Sequence, residues 1–69
     1  MSVARTTEIT ATSKKSFEAA IEKGIKRATQ TLDGVTGAWV KDMEVVVDGS
    51  DISAYKVRMM VTFLLHEKD

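Results

Sequence analysis

The chain is 69 residues long, room for one domain spanning residues 1–69, and it contains neither cysteine nor proline. No disulfide or thiolate metal site can therefore support a thin core. Lysine plus arginine equals aspartate plus glutamate at ten each, so no long-range field holds a polyanion and no nucleic-acid partner is expected; with 43% hydrophobic residues, disorder is not expected either.

Residues 3–11 alternate Val3, Arg5, Thr7, Ile9 and Ala11 against Ala4, Thr6, Glu8 and Thr10. Rich in threonine, with valine and isoleucine, the run reads as a strand whose faces differ only weakly, which suits an edge or an interface. Thr12 and Ser13 end it. Ser13 is the expected helix N-cap, with Thr12 as the alternative. From there Phe17, Ala20, Ile21, Gly24, Ile25, Ala28 and Leu32 recur at steps of three and four, an apolar stripe that predicts a helix over 14–33. The opposite face is charged, and Glu22 stands in the favourable order four residues before Lys26. Gly24 inside the stripe predicts close packing of the helix on a sheet. Gly34 predicts a left-handed C-terminal cap.

Residues 35–47 and 53–65 read as two strands. Asp48 and Gly49 mark the hairpin between them, with a turn extending to Asp51. The last strand sets Tyr55, Val57, Met59, Val61, Phe63 and Leu65 on one face, suited to cover the helix stripe. Lys56, Arg58, Met60, Thr62 and Leu64 lie on the other, where Met60 and Leu64 would be exposed in a monomer. The order β-α-β-β gives an α+β fold: a three-stranded antiparallel sheet wrapped around one helix. One sheet face is then left for a partner, which in a homo-oligomer is another copy.

Energetics point the same way. Folding 7.6 kDa buries about 6,700 Å² by size scaling. At about 60% apolar and ~25 cal/mol per Å², burial yields on the order of 100 kcal/mol. Ordering the chain at ~1.5 kcal/mol per residue costs on the order of 100 kcal/mol. The two cancel, so self-association is the expected source of net stability.

Catalytic chemistry has little to work with. There is no cysteine, and the one histidine, His66, stands in a charged tail with Glu67, Lys68 and Asp69, where it reads as solvated. Without it no nucleophile, base and orienter set can be assembled, so an enzyme is not expected. Asp48, Ser50 and Asp51 crowd the hairpin turn with Glu44 nearby, and hard oxygens of this kind suit Ca²⁺, although the same residues are ordinary turn formers. Strand parity groups Gly37, Trp39 and Lys41 on one face, matched by Lys56 and Arg58 on the last strand. An aromatic ring beside three cations is a seat for a flat anionic ligand. The alternative is a subunit contact in which Trp39 packs and the cations meet carboxylates.

These residues together resemble the dodecin family. The strand end Thr10-Ala11-Thr12-Ser13, the helix text Ser16-Phe17-Glu18-Ala19-Ala20-Ile21, Ile25-Lys26-Arg27-Ala28 and Thr31-Leu32, then Val40-Lys41-Asp42, Tyr55-Lys56-Val57 and Val61-Thr62-Phe63 follow its frame over nearly the whole chain. The resemblance implies a homo-dodecamer, a hollow shell with helices outside and strands lining the interior. Flavin-binding members hold riboflavin or related flavins pairwise at two-fold axes and store or sequester them. Such members stack the ring on a tryptophan where this chain has Gly37, and hydrogen-bond it with a glutamine where this chain has Lys56. Glycine offers no stacking surface, and lysine only donates. Trp39, two residues on and on the same face by strand parity, would supply a displaced ring.

Two readings follow from the resemblance. The first is a dodecin-like storage protein with flavin (riboflavin or flavin mononucleotide, FMN) as first ligand, seated by Gly37, Trp39, Lys41, Lys56 and Arg58. The alternative is a calcium-binding or ligand-free shell of the same family, with Asp48 and Asp51 as the candidate ion ligands. The opening Met1–Thr6 lacks a basic region followed by an apolar run, and no apolar stretch is long enough to span a bilayer, so the expected location is the cytoplasm and no membrane partner is expected.

Overall fold

Alternation in the last strand fixes the architecture. In the structure, a computed structural model that describes residues 2–65, the elements are β1 (Val3–Ser13), α1 (Phe17–Thr31), β2 (Val35–Asp48) and β3 (Asp51–Leu65). They form one antiparallel sheet in the order β1-β3-β2. The most strongly alternating strand, β3, is central. Its inward side chains Val57, Met59 and Val61 are fully buried, and Ala20 and Ala28 of α1 complete the buried core. Ile9, Ala11, Phe17, Ile21, Ile25 and Val40 pack around it. The sheet thus has one face under the helix, as its patterning predicts. The tail with His66 lies outside the described residues.

The helix is shorter at both ends than the predicted span of 14–33. β1 runs on to Ser13 because the ladder to β3 continues through Thr12 opposite Lys56 and Ser13 opposite Tyr55. Neither Thr12 nor Ser13 is then free to cap. Ser13 Oγ instead accepts from the Lys15 N–H, and Ser16 caps α1, its Oγ accepting from the Ala19 N–H at 3.0 Å. A Ser16→Ala chain should lose about 1 kcal/mol, and roughly 4–8 °C in melting temperature. Ser13→Ala should lose clearly less, and thermal melts of the two variants distinguish the caps.

At the other end, Leu32 closes the helix in an extended conformation, donating to Ala28. Gly34 does adopt positive φ (74°), but two residues beyond the cap. There it delivers the chain into β2, and its carbonyl accepts from the Leu64 N–H. The hairpin turn is also tighter than expected. Asp48 pairs with Asp51, leaving only Gly49 (φ 66°) and Ser50 between them, so Asp51 belongs to β3.

Gly24 has the close-packing role its position predicts. A Cβ there would fall 2.5 Å from Met59 Cε and 3.0 Å from Ala11 Cβ. The absent side chain lets α1 lie directly on β1 and β3.

Alone, the protomer is extended rather than rounded. It measures 57 × 19 × 13 Å with a radius of gyration of 14.5 Å, against about 11 Å for a compact domain of this length. Its surface is 5200 Å², where about 4,300 Å² suffices for its mass. The excess matches one side of a standard interface, about 800 Å². The hairpin carries several of the exposed apolar side chains, Met43, Val45, Val47 and Ile52. Beyond the row Ser13–Tyr55–Val45, β2 and β3 continue without β1. Phe17 packs edge-on against Tyr55 at this point, with ring centroids 5.1 Å apart. Past it Val47 and Ile52 pair with each other and are exposed by more than half. Grooves of about 550 and 370 Å³ also flank the helix, one against β1 and one against β2.

Candidate functional site

The ladder registers place the outer face of the sheet row by row. From the open end the rows are Thr6–Thr62–Gly37, Glu8–Met60–Trp39, Thr10–Arg58–Asp42 and Thr12–Lys56–Glu44. Four of the five residues expected at the ligand site, Gly37, Trp39, Lys56 and Arg58, therefore share this face. The fifth, Lys41, has no partner in the ladder, because β2 bulges between Val40 and Asp42. A bulge sets two residues against one on the facing strand. Lys41 still reaches across β3, placing Nζ 3.1 Å from Glu8 Oε1.

That bulge corrects the strand parity. Without it Asp42 and Glu44 would face the helix; with it they stand opposite Arg58 and Lys56. Arg58 Nη1 donates to Asp42 Oδ1 at 2.8 Å and Nη2 to Glu44 Oε1 at 3.1 Å. These bonds, to Asp42 first and then Glu44, hold the guanidinium above its already high ordinary pKa. Val40-Lys41-Asp42 contains neither glycine nor proline, so no local signal marks the bulge. Asp42 and Glu44 are the site residues that parity misses; Glu8 stands on the outer face as the alternation of β1 has it, but only the fold brings it to Lys41.

The aromatic part is open. Trp39 is 53% exposed, and a Cβ at Gly37 would meet nothing within 4 Å. Leu64 is exposed as expected, while Met60 is half-buried between Glu8 and Trp39, beneath the Lys41–Glu8 bridge. Two of the three cations thus carry carboxylates of the same face. Lys56 has no ion pair among the described residues.

The hairpin tip is separate from this patch. Asp48 and Asp51 are opposite one another and exposed, four residues along β2 from Glu44. No group of three or more acidic, histidine or cysteine side chains arranged to hold a metal occurs among the described residues. No helix there is long and apolar enough to cross a membrane.

A β-α-β-β unit with its sheet covered on one face and a tryptophan on the other is a recognisable class. The family model for dodecin matches residues 3–66, and the chain belongs to the dodecin family. No curated protein matches it closely. Among solved structures it is similar to dodecin from Streptomyces davaonensis, at 33% identity and TM-score 0.90, covering 96% of this chain and 97% of that one. It is also similar to a Thermus thermophilus protein, at 29% identity and TM-score 0.91, covering 99% and 100%. A calcium dodecin from Mycobacterium tuberculosis, described as calcium-chelating with a novel calcium-binding site, matches at 25% identity and TM-score 0.82, covering 97% and 96%.

Proposed function

We propose that this dodecin binds and stores a small flat ligand, with flavin the first candidate, inside a homo-dodecameric shell. The single observation that supports this most is the exposed Trp39 ring on the sheet face that the helix leaves bare. Two copies meeting face to face would enclose a planar molecule between their Trp39 rings and bury the adjacent Met60 and Leu64 side chains. Gly37 leaves the space beside the ring, while Lys41, Lys56 and Arg58 with their carboxylates frame it. The reading is of a binding and storage protein of the cytoplasm, not an enzyme.

Mixing the purified protein with riboflavin tests it directly. Stacking on tryptophan quenches flavin fluorescence, so saturable quenching at micromolar protein is the expected result. Unchanged fluorescence would remove flavin from the account.

A second reading is a calcium-binding or ligand-free shell of the same family. The likeness to the calcium dodecin favours it, as does the lack of tryptophan at Gly37 and of glutamine at Lys56. Asp48 and Asp51 are its candidate ligands, and contacts between copies would have to supply further oxygens. A melting temperature that rises with Ca²⁺ and falls again with chelator would support it.

A further inference from the structure

We infer that the outer face selects an uncharged flat ligand over its phosphorylated form. The inference rests on the flavin reading above and names the class of flavin it takes. Around Trp39 the patch carries Lys41, Lys56 and Arg58 against Glu8, Asp42 and Glu44, a sum of zero. For Lys41 and Arg58 the balance is local as well as total. Lys41 is matched by Glu8 at 3.1 Å. Arg58 is held by two carboxylates, Asp42 and Glu44, and the surplus negative charge offsets Lys56.

A phosphate carries a charge of about −1.5 to −2 near neutral pH. To reach Arg58 it must displace Asp42 and Glu44, and both remain beside it afterwards. Like charges at that range repel, most strongly where water is excluded between two copies. What the face offers instead is neutral. Trp39 supplies a ring, and Thr6, Thr10, Thr12 and Thr62 place hydroxyls in the same rows. Hydroxyls both donate and accept, which suits a sugar-alcohol chain better than a phosphate.

Riboflavin and FMN differ by one phosphate, so paired fluorescence titrations isolate its effect. Riboflavin should bind at least about tenfold tighter than FMN at low salt, the scale set by opposing one dianion to the fixed carboxylates. In an Asp42→Asn, Glu44→Gln double variant Arg58 is released, and the FMN-to-riboflavin affinity ratio should rise about tenfold. A salt series on the unsubstituted protein gives an independent reading. FMN binding should hold or tighten as ionic strength rises from about 20 to about 500 mM, because screening relieves repulsion.

Equal or tighter FMN binding overturns the inference and leaves the flavin reading standing. So does a ratio unmoved in the assembled double variant, or FMN binding that weakens about tenfold with salt, the mark of a net attraction. Failure of both flavins to bind overturns the flavin reading and this inference together.

Discussion

A Gly24→Leu chain is expected to lose its ordered fold and, with it, its assembly. The first added atom, a Cβ, already lies 2.5 Å from Met59 Cε and 3.0 Å from Ala11 Cβ. The Met59 thioether end is flexible and can turn aside. The Ala11 Cβ cannot, since it is fixed to the backbone of β1. Three further carbons must then lift α1 from the sheet, opening the cluster of Ala20, Val57 and Met59. Overpacking of this kind costs about 1–3 kcal/mol and occasionally more. In a protomer whose burial and ordering terms nearly cancel, that suffices to unfold it. Thermal melts and native mass would show a lost transition and no oligomer. A Gly24→Leu protein that melts and assembles like the parent would refute the packing account. Gly24→Ala is the milder control: a gain of about 1 kcal/mol in helix propensity opposes the same contact, so its effect should stay small.

The second large effect is on binding. Trp39→Ala should weaken flavin binding by roughly 5- to 150-fold, the range of about 1–3 kcal/mol found when a stacking aromatic is removed. Trp39→Phe keeps a ring and should recover much of the loss. Neither change should unfold the protomer, because Trp39 is half exposed and outside the buried core. Titration of the assembled variants checks this. Binding unchanged in Trp39→Ala would move the ligand off this face entirely.

The elements were legible in the chain because each rests on a period. The helix stripe from Phe17 to Leu32 and the alternation from Tyr55 to Leu65 both faced each other as their spacing demands. Gly24 was readable for the same reason, as the smallest residue in a stripe that must touch a sheet. Boundaries were less legible, because they depend on partners distant in sequence. Ser13 and Ser16 are equally good caps in isolation; the ladder from Ser13 to Tyr55 decides between them.

The site was half legible. Parity placed Gly37 and Trp39 with Lys56 and Arg58, since these flank no irregularity that separates them. It placed Asp42 and Glu44 on the wrong face, because one unpaired residue at Lys41 reverses everything that follows in β2. The charge balance of the face, on which the proposed choice of ligand rests, depends on that single bulge.

Native mass measured on the purified chain, followed through dilution, tests the central claim most directly: the protomer is completed only by copies that cover its bare sheet face and hairpin. The account predicts one dominant species of about twelve times 7.6 kDa, with folded structure lost when it dissociates. A folded, cooperatively melting monomer in dilute solution would contradict it.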